Sequence, residues 1–393
     1  MPPYIRLPAE LIDTIVSHFL EDEDGTSLNR CSLVARPWRQ PCQRLLLRSI
    51  TIDSAKFHDF VAFLASSSHS SLASHTRGIT LRNDPEMRSP PSEEQLATLA
   101  SRLRRVSKLN LIKMDTRAPL EWWARAFPQC EELKLSALYL ESIKHIFDLI
   151  TALPKLQSLA INDVAWNFEP PEENVEHHLP PKLSVLKLHG CYTTDIVAWL
   201  EATHERPRIR SLDIGVVYSD HLRSISNLLQ LLGSDLRQLA FAFDGPSAGW
   251  HADKFYKSNP LSANPRLQCV QIGVNVRSYC STRALDHTPT FLAKLHLPCL
   301  DKLVFRLKIS NTTQITYPIT ESSWRKLDDI VSGLKQLQRV SFELDSGSNP
   351  SVFGYVYVGD AASLIKCKMP LSTRMGRLSV GRSIEAEAEG EWR

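Results

Sequence analysis

The sequence predicts an α/β protein in which a short helical segment precedes a solenoid of parallel strands backed by outer helices. Three features predict it. One phrase recurs eleven times between Leu47 and Phe342: an apolar residue, two others, an apolar residue, one other, an apolar residue. The triplets are Leu47/Ile50/Ile52, Thr76/Ile79/Leu81, Val106/Leu109/Leu111, Cys130/Leu133/Leu135, Leu156/Leu159/Ile161, Leu183/Leu186/Leu188, Ile209/Leu212/Ile214, Leu236/Leu239/Phe241, Leu267/Val270/Ile272, Leu300/Leu303/Phe305 and Leu337/Val340/Phe342. With 43% of residues apolar, a triplet arises by chance with probability about 0.08, so a single occurrence means little. The second feature is spacing. From Leu109 through Leu133, Leu159, Leu186, Leu212 and Leu239 the steps are 24, 26, 27, 26 and 27 residues, the length of one strand–helix layer. Flanking steps are looser, 29 and 30 before this block and 31, 33 and 37 after it. The third feature is punctuation: Pro128, Pro154, Pro180–Pro181, Pro265 and Pro298 each stand shortly before a triplet strand. Proline lacks the donor that an advancing helix needs, so it marks a helix end.

The first 48 residues follow different rules. Leu7-Pro8-Ala9-Glu10-Leu11-Ile12 opens a helix with proline in its first turn and an acid at its positive start. Leu11, Ile12, Ile15, Val16 and Phe19 follow at helical spacing. The run Glu21-Asp22-Glu23-Asp24-Gly25 separates a second helix with Leu28, Cys31, Leu33 and Val34. A third helix carries Trp38, Leu45 and Leu46. Pro37 and Pro41 fall within it, and an interior proline costs roughly 3 kcal/mol, so this helix is expected to start after Pro41 or to kink there.

Read together, LPAELIDTIVSHFL and LNRCSLVARPWRQPC resemble an F-box over about residues 5–48. The matching features are the Leu-Pro-x-Glu-Leu opening, the turn at Ile15 and a Leu-Val-x-Arg-x-Trp-Arg run about 20 residues later. The resemblance implies a three-helix module that docks a Skp-type adaptor and through it a cullin–RING ubiquitin ligase. It implies adaptor contacts at Leu7, Pro8, Leu11, Ile12, Ile15, Val34 and Trp38. Some of these residues have a second reading, as core of the small bundle. An F-box followed by irregular leucine-rich repeats is similar to the large fungal sets of such proteins, where the repeats recruit a protein substrate.

Between triplets the sequence turns helical. Tyr139–Leu153 and Asp220–Leu232 carry apolar stripes, and shorter stripes lie in Phe57–Leu64, Glu94–Leu103, Asp195–Leu200 and Trp324–Leu334. The period matches leucine-rich repeats, which makes residues 49–345 a degenerate solenoid of that kind. Only Cys191 and Asn275 supply the Asn or Cys usual three residues after the third apolar position, so irregular turns and uneven curvature are expected. Insertions at Asp84–Ser92, Trp166–Pro181, Asp244–Asn264 and Lys308–Thr320 are expected to emerge as loops. Residues 346–370 are read as a last strand or cap around Val352–Val358. Residues 371–393, with Arg374, Arg377 and Arg382 and then Glu385, Glu387, Glu389 and Glu391, are read as a disordered tail.

If helices cover one side of the strands, residues between the apolar positions line the other. Asn110, Lys134, Lys187, Asp213, Gln271 and Arg306 are the candidate substrate face. The bland reading, an ordinary solvated sheet face, applies to most of such positions.

Composition removes other classes. The 46 basic against 43 acidic residues leave +3, too near neutral to suggest nucleic acid or a charged membrane surface as a partner. No stretch nears the roughly 18 apolar residues that span a bilayer, and Glu10 and Asp13 interrupt what would be a signal peptide. Eight cysteines without a CxxC pair fit a reduced cytoplasmic or nuclear compartment rather than a secreted chain. There is no Gly-rich phosphate loop, GxSxG elbow or HExxH helix, so no catalytic, cofactor or metal residues are assigned and the chain is not read as an enzyme. His177–His178 reads as a solvated loop, Arg102/Arg104/Arg105 as a helix-end cluster and Trp122–Trp123 as packing. Two functions remain: a substrate-recognition subunit of a ubiquitin ligase, or an interaction scaffold that directs no degradation.

Overall fold

The computed structural model describes residues 7–18, 26–66, 75–83, 91–114, 120–167, 178–203, 206–245, 247–258, 260–276, 283–295, 297–309, 312–316, 318–345 and 358–382. The chain divides into two compact units, Met1–Lys182 and Leu183–Arg393.

The first unit opens with three helices, α1 (Ala9–His18), α2 (Thr26–Val34) and α3 (Arg36–Leu46). It continues through β1 (Ser49–Asp53), α4 (Phe57–Ser66), β2 (Gly78–Arg82), α5 (Glu93–Arg102), β3 (Lys108–Ile112), α6 (Glu121–Ala126) and β4 (Glu132–Ser136). It ends with β5 (Tyr139–Leu140), α7 (Lys144–Thr151), β6 (Ser158–Asn162) and β7 (Ala165–Trp166). Strands β1, β2, β3, β4 and β6 form parallel neighbours in that order, with Ile50, Ile79, Leu109, Leu133 and Leu159 aligned in one row. The middle apolar position of each phrase is thus the register of the sheet.

The second unit runs through β8 (Val185–His189), α8 (Thr193–Ala202), β9 (Ser211–Val216), α9 (Leu222–Leu232), β10 (Gln238–Phe243), α10 (Ala248–Lys257) and β11 (Cys269–Val276). Then come α11 (Thr288–Lys294), β12 (Lys302–Ile309), α12 (Glu321–Gly333), β13 (Arg339–Asp345), α13 (Val358–Lys368), α14 (Pro370–Arg374) and β14 (Leu378–Arg382). Its seven strands, β8 to β14, are also parallel and in sequence order, with Leu186, Leu212, Leu239, Val270, Leu303, Val340 and Leu378 aligned in a row of their own. This is a solenoid-like α/β architecture of strand–helix layers, not a closed barrel.

The core is the sum of the triplets. Every third-position residue from Ile52 to Phe342 is buried, and so is every first-position residue except Leu47; even Thr76 is fully covered. Cys130, at a first position, has its thiol pushed up to about 12 by burial. Seven described cysteines are free thiols, among them buried Cys42 and Cys130.

Four local expectations change. Helix α3 starts at Arg36, not after Pro41: Pro37 occupies its first turn, where no N–H is needed, and Pro41 is accommodated inside. The stripe from Tyr139 to Leu153 is helical only from Lys144, because Tyr139 and Leu140 pair in parallel with Ala165 and Trp166. The segment Asp244–Asn264 is not a loop. Its aromatic residues build α10, where Phe255 lies 4.7 Å from Phe241 and Tyr256 stacks on Phe291 at 4.4 Å, ring centroid to centroid. The turns are more regular than the missing Asn residues suggest. Lys113, Ala137, Asp163 and Gly190 all take positive φ, between 51° and 58°, two residues after the third apolar position. Lys113 and Ala137 donate their backbone N–H to the last carbonyl of the next strand, Ser136 and Asn162, at 2.9 Å, so the backbone bonds directly there.

The largest correction is at the C-terminal end. Residues 346–357, with most of the Val352–Val358 stretch, and 383–393 lie outside the described residues. Val358 begins a helix instead, and residues 370–382 add a further helix and a strand paired with β13, where a cap and a disordered tail from 371 were expected. Two polar anchors hold this layer. Buried Asp328 accepts from Leu371 N–H, Ser372 N–H and Ser372 Oγ–H at 2.8, 2.9 and 2.6 Å, and Arg377 Nη1 donates to the carbonyls of Ser332 and Leu334 at the end of α12.

No helix among the described residues is long and apolar enough to cross a membrane. Of the other insertions, 84–90 and 168–177 lie outside the described residues, and Thr312–Thr316 forms a short 3-10 turn.

Candidate interaction surfaces

Helices α1, α2 and α3 close a small core of Ile12, Val16, Leu28 and Cys42, against which Cys31, Trp38, Leu45 and Leu46 pack. Burial pushes the Cys42 thiol up, and neighbouring Cys31 adds to the effect. Helix α1 starts on the Pro8 carbonyl, which accepts from Leu11 N–H and Ile12 N–H at 3.1 and 3.2 Å. Pro8 therefore stands just before the helix, exposed, rather than inside its first turn.

The apolar residues of α1 split between two faces. Ile12 and Val16, four apart, point into the core; Leu11 and Ile15, also four apart, are 49% and 37% exposed, and Leu7, just before the helix, is 42% exposed. Val34, at the end of α2, is 71% exposed. Of the seven residues implied as adaptor contacts, Leu7, Pro8, Leu11, Ile15 and Val34 are on the surface. Ile12 is not. At 3% exposure it is core, because its helical partner Val16 faces the same way. Trp38 is half-buried against that core, so its first role is packing. Leu33, 86% exposed, was not among the seven; its signal was in the sequence, since a helix that turns Leu28 and Cys31 inward leaves Leu33 outward.

The sheet candidates behave as the alternation requires: Asn110, Lys134, Lys187, Asp213, Gln271 and Arg306 are all half-buried between fully buried strand neighbours. In the first unit Asn110 faces Lys134 across β3 and β4. The Asn110 Oδ1, Ser136 Oγ and Asn162 Oδ1 atoms there have no hydrogen-bond partner among the described residues.

In the second unit several polar residues of the sheet are paired. His189 Nε2 lies 3.0 Å from Asp213 Oδ1, which also accepts from Gly215 N–H at 3.0 Å. Gly215 has φ +66° where the β9–β10 register shifts, and a Cβ there would come within 2.8 Å of the His189 ring. Glycine is what admits the histidine. Burial alone would raise the Asp213 carboxyl, but the hydrogen bond and charge of His189, the Gly215 N–H and the charge of Lys187 outweigh it and hold the pKa low. Three strands on, Arg306 Nη2 donates to Glu343 Oε2 at 3.2 Å, and the Gln271 amide, turned oxygen-first, accepts from both Arg306 Nη atoms at 3.1 Å. Asn275 donates to Asp244 at 3.2 Å, and Lys308 lies 3.6 Å from Asp345.

One exposed group escaped the sequence reading. Tyr218 meets His251 edge-on at 5.7 Å, and Trp250, half exposed, carries Lys254 Nζ 3.7 Å above its ring. Trp250 and His251 sit in the segment read as a loop. Other candidates resolve as packing or capping. Trp123 is buried beside Phe57, Arg102 donates to Ala65 O and Arg104 to Ser101 O, and His178 is exposed while His177 lies outside the described residues.

By class, the chain is an α/β repeat protein of parallel strand–helix layers with a small helical bundle at its front. No protein-family profile and no curated protein sequence matches it. Among solved structures it is similar to the crystal structure of the Rad7 and Elc1 complex in yeast, at 13% identity over 89% of this chain and 92% of that one, with a TM-score of 0.37.

Proposed function

We propose that the chain is a substrate receptor: the front bundle is an F-box that docks a Skp-type adaptor of a cullin–RING ubiquitin ligase, and the polar sheet faces engage a protein client. The observation that carries this reading is the second apolar stripe of α1. Leu11 and Ile15 of α1, with Leu7 just before it and Leu33 and Val34 of α2, stay exposed although the bundle has its own core in Ile12, Val16, Leu28 and Cys42. Apolar anchors at i and i+4, with a further one at the helix entry, suit helix-in-groove recognition by a second helical protein. The Leu-Pro-x-Glu-Leu and Leu-Val-x-Arg-x-Trp-Arg runs, which resemble an F-box, fall on this bundle. The chain supplies no catalytic constellation in this reading; transfer of ubiquitin belongs to the partners. Its place is the cytoplasm or nucleus, where those partners work.

Leu11→Asp combined with Val34→Asp should abolish co-purification of the adaptor and cullin while leaving the fold intact, because both side chains are exposed. Trp38→Ala is a poorer probe, since it removes core packing. Equal recovery of the adaptor by the native and doubly substituted chains would overturn the assignment. Adaptor binding with client levels unchanged on depletion of the chain would instead favour a scaffold that directs no degradation.

A further inference from the structure

In the second unit a short stretch leads into each strand, and three consecutive stretches are basic. Residues 206–210, 233–237 and 264–268, ahead of β9, β10 and β11, carry Arg206, Arg208, Arg210, Arg237 and Arg266 against one carboxylate, Asp235, and no lysine. Glu201 lies in the last turn of α8, and Glu205 is outside the described residues. The sheet sets these stretches side by side. Ser211 and Gln238 are register partners, so Arg210 and Arg237 immediately before them are neighbours, and Arg237 N–H donates to Arg210 C=O at 2.8 Å. Adjacent strands lie about 4.8 Å apart, close enough for such cations to repel. Two of the five are partly engaged. Arg206 Nη2 donates to Leu232 C=O at 3.3 Å, with its Nε 4.0 Å from Asp235, and Arg237 Nη1 donates to Arg266 C=O at 3.3 Å. Arg208, Arg210 and Arg266 are exposed, and their guanidinium groups have no ion pair or hydrogen bond among the described residues. The basic rim is bounded: the next stretch, residues 297–301, holds no cation and ends in exposed Asp301.

We infer that this rim binds an acidic segment of a partner protein, whose clustered Asp or Glu carboxylates bridge the guanidinium groups of neighbouring layers. Charge complementarity carries the inference. A carboxylate between Arg210 and Arg237 relieves their repulsion, and each guanidinium can hold it on two N–H groups at once, which a lysine ammonium does not match. A single phosphoryl group would concentrate its charge at one point, whereas five arginines spread over three layers suit several carboxylates in a row. Nucleic acid fits less well. The rim is only about 10 Å wide between its outer strands, and Asp301 closes one side of it against a longer phosphate track. The exposed rings of this unit, Tyr192, Tyr218 and Trp250, follow β8, β9 and β10, at the opposite end of the parallel strands, so among the described residues no exposed ring stands with the arginines for a base to stack on.

Fluorescence anisotropy of the purified full chain with a labelled oligoglutamate peptide tests this. It needs no adaptor, so its outcome is independent of the F-box assignment. The peptide should bind at low salt and lose affinity steeply once the screening length falls below about 10 Å. Arg210→Glu with Arg266→Glu should weaken binding about tenfold or more with an unchanged circular dichroism spectrum, since both side chains are exposed. Arg208→Gln with Arg266→Gln should weaken it in the same direction if the charge-reversed variant fails to fold. Arg210→Lys with Arg266→Lys keeps the charge but removes the planar forks, and should fall between the native and reversed chains. Arg104→Glu with Arg105→Glu makes the same change of net charge in the first unit and should leave binding as it was. A native chain that does not take up the peptide would overturn the proposal. So would equal losses in the two charge-reversed variants, which would mean attraction to net charge alone. Tighter binding at the same arginines by labelled oligouridylate, or by a singly phosphorylated peptide, would overturn it in favour of that ligand.

Discussion

Replacing Asp328 by alanine tests whether the final strand belongs to the repeat stack. Asp328 is 2% exposed on α12 and accepts three hydrogen bonds, from Leu371 N–H, Ser372 N–H and Ser372 Oγ–H. Both N–H groups lie in the first turn of α14, where a helix leaves its donors unpaired and a carboxylate is favoured. Proline at the first position of α14 removes one donor, and Asp328 takes two of the others from a neighbouring layer. Loss of a side-chain cap costs about 1 kcal/mol, and each buried bond to a charged group about 1.5–3 kcal/mol. Allowing for non-additivity, Asp328→Ala should cost about 3–5 kcal/mol. Asp328→Asn keeps an acceptor and should cost about half as much; Ser372→Ala should cost about 1 kcal/mol.

Urea unfolding gives the totals, and hydrogen exchange locates them. Residues 370–382 should lose protection in Asp328→Ala before any other layer does. In a double-mutant cycle, Asp328 and Ser372 should couple by more than about 0.5 kcal/mol. A cost below about 1 kcal/mol, with β14 as well protected as in the native chain, would refute the view that this carboxylate pins the last layer.

The sheet was legible because its signal is redundant. Each layer repeats the same three buried positions, so weak members such as Thr76 and Cys130 are placed by their neighbours' spacing, and both prove fully buried. The last layer was legible in principle. Met375, Leu378 and Val380 form a twelfth copy of the phrase, but their setting among Arg374, Arg377, Arg382 and the following acids reads as a solvated tail. What holds that layer, the Asp328 and Arg377 contacts, joins residues 43 to 45 apart and has no local pattern. The turns were misread for a different reason. An Asn ladder is one way to satisfy a turn, and Lys113 and Ala137 reach the next strand with backbone N–H alone. At the front bundle, spacing could not say which of two stripes on α1 faces inward, because Ile12/Val16 and Leu11/Ile15 have the same period. Only the position of Leu28 and Cys42 across the bundle decides it.

Two further predictions bear on the repeat stack. Leu159 is fully buried in the middle row of the first sheet, so Leu159→Asp forfeits about 1.5–3 kcal/mol of burial and adds the larger cost of an unpaired buried charge. The variant should fail to unfold cooperatively in urea, and a native-like transition would refute the register. The second prediction concerns Asp213. Its carboxyl titrates below the ordinary 3.8 because His189, Gly215 N–H and Lys187 together outweigh the effect of burial. A folded value below the unfolded one means the contribution is complete above about pH 4 and is lost as pH falls through the folded value. Asp213→Asn should therefore be less stable than the native chain near neutrality and show a shallower loss of stability below pH 3.8, measured as urea midpoints across the acid range. Parallel acid limbs would show that the carboxylate contributes nothing to folding, and that its pairing with His189 serves only the surface on which both stand.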